Sequence, residues 1–137
     1  AAGLTLAECR ACLDGRLDRV AALLDVFSDP DTEVVKGAVD AVVGIATLDA
    51  CADAAVLRRE TLLPAEPELR ARVEALSEEL ARAAARDMVG RYDEASAIAD
   101  RVVAEATELG YEPVLAYALF TQGMLQSKRR RGQQAPR

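Results

Sequence analysis

The sequence predicts an all-α chain built of antiparallel helical hairpins, about five main helices in 137 residues. Three observations carry this. Apolar residues recur at helical spacing along most of the chain, and no stretch alternates as a strand does. Hydrophobic residues make up 51% of the chain while aromatics make up 4%, so the interior is drawn from Ala, Leu and Val, of which Ala and Leu are strong helix formers. Gly and Pro fall between the periodic segments, where helices end and begin.

The first helix is expected over residues 4–28. Leu6, Cys9, Leu13, Leu17, Val20, Leu24 and Phe27 lie three or four residues apart and form one stripe. This stripe is expected to be the buried face. Ser28-Asp29-Pro30-Asp31 ends the helix and caps the next. That second helix, about Thr32 to Ala46, is expected to bury Val35, Val39, Val42 and Ala46, with Gly37 and Gly44 marking close helix approach. An irregular stretch, Thr47 to Asp53, precedes a short helix over Ala54–Glu60. Thr61–Pro67 holds two prolines that cannot sit inside a helix, and Pro67 suits the first helical position.

A third helix is expected from Glu68 to about Val89, with Leu69, Val73, Leu76, Leu80 and Ala83 inward. Gly90 ends it, and a fourth runs from Tyr92 to Leu109 with Ala95, Ile98, Val102, Ala106 and Leu109 inward. Gly110 closes that helix, and a fifth starts at Pro113 with Leu115, Ala118, Leu119 and Gln122–Leu125. The expected organisation is a hairpin plus short helix (1–60), a hinge (61–67), a helical unit (68–127) and a basic, frayed tail (128–137).

Charge and composition narrow the function classes. A net charge of −6 speaks against general nucleic-acid binding, which needs a basic surface. No apolar run reaches the roughly 20 residues that span a bilayer, and no export signal is visible. Membrane insertion is therefore not expected, and a cytoplasmic location is. The chain does not open on Met, so a segment of a longer protein is expected.

The candidate chemistry is sparse. Cys9-x-x-Cys12 with Cys51 admits three readings. As a zinc set it lacks a fourth ligand, and the chain has no histidine. As buried thiols the cysteines are small core residues. As a disulfide, Cys51 returns near the start of the chain, close to Cys12 or Cys9, and Cys12–Cys51 is the preferred pair if oxidised. Glu78-Glu79 and Asp93-Glu94 sit on solvated faces or turns without the burial that catalytic carboxylates need. Lys128-Arg129-Arg130-Arg131 is read as a cationic helix end. No catalytic, cofactor or metal site emerges.

Gly90-Arg91-Tyr92-Asp93-Glu94-Ala95 resembles the turn between the two helices of a tetratricopeptide repeat. Gly90 supplies a backbone conformation that other residues resist, Tyr92 wedges between the helices, and Ala95 admits close approach. Leu115-Ala116-Tyr117-Ala118-Leu119-Phe120 and Gly123 resemble the next repeat, although Ala83 to Gly123 spans 40 residues against the usual ~34. The fold implied is a right-handed solenoid segment. Cys9–Asp14, Leu48–Asp53 and Leu69–Ala85, followed by Gly90–Ala95, are similar to the region after the catalytic domain in large bacterial serine/threonine protein kinases of the myxobacterial type. That resemblance covers most of residues 8–126 and implies a regulatory linker to a repeat array.

The Gly-rich loop, Val-Ala-Ile-Lys, His-Arg-Asp and Asp-Phe-Gly motifs of the kinase itself are absent from this sequence. The resemblance also implies a peptide groove formed by Leu80, Ala84, Asp87 and Met88. The function expected is a non-catalytic interaction or linker module that binds a protein or peptide and dimerises through the face where a further repeat belongs. The competing expectation is the helical repeat region of a large ATP-dependent transcriptional regulator.

Overall fold

The computed structural model describes residues 5–45, 48–53 and 64–134. Among these residues the chain forms five α-helices: α1 (Leu6–Phe27), α2 (Thr32–Val43), α3 (Pro67–Met88), α4 (Tyr92–Leu109) and α5 (Glu112–Gln134). A 3-10 turn, Leu48–Ala52, lies between α2 and α3. No strand occurs among the described residues. Ala46, the short helix expected over Ala54–Glu60 and the first half of the Thr61–Pro67 stretch fall outside them.

Local chemistry fixes the helix ends. The Thr5 hydroxyl accepts from the Glu8 backbone N–H at 3.2 Å, and the Glu8 carboxylate accepts from the Thr5 N–H at 2.8 Å, a reciprocal cap for α1. Asp31 caps α2 by accepting from the Val34 N–H at 2.8 Å. Pro67 opens α3, where its missing N–H costs nothing. Gly90 and Gly110 take positive φ, 83° and 72°, and so end α3 and α4 in the left-handed region that side chains resist.

Two apolar clusters hold the helices together. In one, Val73, Leu76 and Leu80 of α3 meet Val102 and Ala106 of α4 and Val114 and Ala118 of α5. In the other, Ala22, Leu23 and Val26 of α1 and Val34 and Ala41 of α2 meet Ala85 of α3 and Val89. This second cluster draws on both sides of the Pro-containing stretch. Small residues let the backbones meet: a Cβ on Gly37 would lie 2.9 Å from the Cα of Val89.

The faces of α3 and α4 match the expected stripes. Val73, Leu76, Leu80 and Ala83 are buried, as are Ala95, Val102 and Ala106, and Leu69, Ile98 and Leu109 pack half-buried beside them. The stripes of α1 and α2 do not match. Leu6, Leu13, Leu17 and Leu24 are 86, 46, 65 and 61% exposed, and Val35, Val39 and Val42 are 67, 73 and 53% exposed.

The buried face of α1 is instead Cys12, Ala22, Leu23 and Val26, rotated by roughly 140° from the leucine stripe at 100° per residue. In α2 the inward residues are Val34 and Ala41, with Gly37 and Gly44 against Val89 and Met88. Each helix carries two apolar stripes. The one with smaller residues faces inward because it allows closer packing.

The C-terminal end also departs from expectation. Leu119 is 48% exposed, and the inward residues of α5 are Val114, Ala118 and Leu125. The basic run, expected as a tail, is helical among the described residues, because α5 continues through it to Gln134. Lys128 Nζ sits 2.8 and 2.7 Å from the two Asp87 carboxylate oxygens, and Arg129 lies 3.0 Å from Asp93. These acids at the end of α3 and the start of α4 hold the added turns in place.

Candidate interaction surfaces

The Gly90–Ala95 turn is held by both packing and polar contacts. Tyr92 begins α4 and packs against Ala95, Ala99 and Leu125, which places its ring between α4 and α5. Ala95 is fully buried. Lys128 Nζ stands 6.0 Å from the centroid of the Tyr92 ring, within reach of a cation–π attraction. Arg91 reaches across to the α1–α2 turn, donating to the Asp29 carbonyl at 2.9 Å and to Asp31 Oδ2 at 2.8 Å.

Asp31 therefore caps α2 and binds Arg91 at once. The Val34 N–H, and then the Arg91 guanidinium, hold its carboxyl below the usual range, because both stabilise the ionised form. These contacts join the two hairpin turns at one end of the molecule.

A groove of about 980 Å³ runs between α1, α3 and α5. Arg10, Asp14, Arg70, Glu74, Tyr111 and Tyr117 are among its lining residues. Positive and negative side chains alternate there, so the groove presents no single sign of charge. Of the four residues expected to form a peptide groove, Ala84 alone lines it. Leu80 is 2% exposed, in the core between α3, α4 and α5. Asp87 is taken by Lys128, and Met88 packs against the α1–α2 core cluster. The expectation had these residues point toward a concave groove, whereas neighbouring helices and one ion pair occupy three of them.

Cys12 and Cys51 are joined by a disulfide, and Cys9 is a free thiol. The bonded pair forms its own buried cluster and ties the 3-10 turn to α1. Among the described residues no group of His, Cys, Asp and Glu side chains is placed to hold a metal ion. Among them no helix is long and apolar enough to cross a membrane.

The largest unclaimed feature is apolar surface. Besides the α1 and α2 stripes, α5 exposes Tyr117, Phe120 and Met124 by 46, 63 and 42%, along one face at three- and four-residue spacing. Sequence reasoning found the residues of the α1 and α2 stripes and assigned them to the wrong side. The signal for their true placement was a second stripe with smaller residues on each helix, holding Cys12 and Ala22 on α1 and Gly37 and Ala41 on α2. No protein-family model matches the chain, and no curated protein or solved structure matches it.

Proposed function

We propose that this chain is a non-catalytic, tetratricopeptide-like interaction and linker module that works by presenting apolar helix faces to other proteins. The observation that carries the reading is the row of large apolar side chains left outside the core on α1, α2 and α5. Soluble domains scatter single hydrophobic residues over their surface, but rows of them along one helix mark contact sites. The Gly90–Ala95 turn supports the tetratricopeptide part of the proposal, with a left-handed glycine and a fully buried alanine in the expected order, while Tyr92 packs between α4 and α5 rather than between the two helices the turn joins. We further assign the module to the regulatory region of a bacterial-type serine/threonine protein kinase. The short sequence words around Cys9, Cys51 and Gly90 support this.

Two experiments test the proposal. Proteins retained from a bacterial lysate by the wild-type chain are compared with those retained by Val39→Glu and Phe120→Glu. Loss of a specific protein from either variant is the expected result, and identical sets from all three baits would count against an interaction role. The kinase assignment is tested by reading the coding sequence on either side. Kinase motifs on the N-terminal side support it, and a P-loop there contradicts it.

A further inference from the structure

The N-terminal half of α1 gathers the chain's three cysteines. Cys12 is bonded to Cys51, and Cys9 stands one turn before Cys12 as a half-buried free thiol. The bond itself is shut away, since Cys12 and Cys51 are 7 and 6% exposed. Thiol–disulfide exchange needs the attacking sulfur to reach the bond, so a bulky external thiol is held off, whereas Cys9 is already beside it. Residues three apart on a helix are neighbours. Their Cα atoms lie about 5 Å apart by helix geometry, inside the roughly 4.4–6.8 Å that a disulfide spans. Their Cβ atoms must close by roughly 1–2 Å, an adjustment open to the first turns of a helix, which fray.

The bond is also what fastens the 3-10 turn to α1. Cys12 and Cys51 form a buried cluster of two, and Leu48, the largest apolar residue of that turn, is 61% exposed. Among the described residues, apolar packing thus adds little to the attachment. Breaking Cys12–Cys51 frees the turn and opens the loop that encloses the second half of α1 and all of α2.

We propose that Cys9 is an exchange thiol that moves the disulfide from Cys12–Cys51 to Cys9–Cys12 and so releases the 3-10 turn from α1. The Cys9 thiolate, its proton lost to water, attacks Cys12 Sγ. The Cys9–Cys12 bond forms as the Cys12–Cys51 bond breaks, and Cys51 leaves as a thiolate that takes up a proton. One disulfide and one thiol remain, so no oxidant or reductant is consumed. The new bond includes the more exposed cysteine, where a low-molecular-weight thiol can reduce it. Two such thiols are then oxidised to their disulfide, and Cys9 and Cys12 become thiols. The chain responds to the thiol poise of its surroundings through Cys9, whichever protein its apolar faces contact.

Peptide mapping reads the exchange directly. Trypsin cuts after Arg10, Arg16, Lys36 and Arg58, so each cysteine falls on its own peptide. The oxidised full chain is held at mildly alkaline pH, and its free thiols are blocked with iodoacetamide before digestion. Beside chains labelled at Cys9, a fraction labelled at Cys51 and carrying the Cys9–Cys12 peptide pair is expected. Label at Cys9 alone overturns the proposal. So does label at Cys12 with a Cys9–Cys51 pair, which would leave the turn attached. Glutathione should release Cys51 roughly tenfold faster or more in the wild type than in Cys9→Ser, because the internal attack is prepositioned. Cys9→Ser changes one atom at a half-buried site, and circular dichroism checks its fold. Equal rates in the two chains overturn the exchange role of Cys9.

Discussion

Replacing Gly37 by alanine puts a methyl group where α2 crosses the end of α3. Its Cβ would lie 2.9 Å from the Cα of Val89 and 3.3 Å from the carbonyl oxygen of Met88. Both neighbours are backbone atoms, so no side chain can rotate away and the helices must part. Two contributions oppose each other. Glycine to alanine inside a helix gains about 1 kcal/mol of helix propensity, and forcing extra volume into a packed contact costs about 1–3 kcal/mol. The sum is a net loss of about 1 kcal/mol.

Gly15 supplies the control. It lies inside α1 with nothing within 4 Å of its built Cβ, so Gly15→Ala keeps the whole propensity gain of about 1 kcal/mol. Urea denaturation followed by circular dichroism should move the two midpoints in opposite directions, separated by about 2 kcal/mol. Equal stabilisation by both substitutions would refute the close crossing of α2 and α3.

Three further outcomes are expected. Cys51→Ala removes a link between residues 39 apart in sequence and should cost up to about 4 kcal/mol on the loop-entropy model; a urea midpoint unchanged from the oxidised wild type would contradict the bond. Gly90→Ala must hold φ near 83° and should lose about 1–2 kcal/mol, with a thermal melt as the readout. Asp31 has a lowered folded-state pKa, from an ordinary value of 3.8. Its contribution is therefore complete above that value and lost as pH falls through the folded pKa. Asp31→Asn should flatten this part of the acid-unfolding curve, and an unaltered curve would sink the assignment.

How much was legible varies by helix, for a physical reason. In α3 and α4 one apolar stripe stands against a polar remainder, so Val73, Leu76, Leu80, Val102 and Ala106 could be placed inward from spacing alone. In α1 and α2 two stripes compete. Periodicity ranks them by bulk, while the packed structure ranks them by how closely the backbones approach. Leu17 and Val39 therefore lost the interior to Ala22, Ala41 and Gly37.

The reach of α5 was missed for a different reason. Lys128 and Arg129 look like a solvated end until Asp87 and Asp93, some forty residues earlier in the sequence, are brought beside them by the fold. The pairing of Cys12 with Cys51 was open to topology, because α1 and the return through α2 bring residue 51 back toward the start. The candidate surfaces were legible as residues and not as surfaces, since exposure depends on which stripe the neighbouring helix takes.

Two adjacent leucines decide which side of α1 faces out. Leu23 is 3% exposed and Leu24 is 61% exposed. Stability of Leu23→Ala and Leu24→Ala is best compared by urea denaturation at the lowest workable concentration, where no partner covers the exposed stripe. Leu23→Ala should lose about 2–5 kcal/mol and Leu24→Ala less than about 0.5 kcal/mol. The reverse order would place the leucine stripe of α1 in the core and remove the surface on which the proposed interaction role depends.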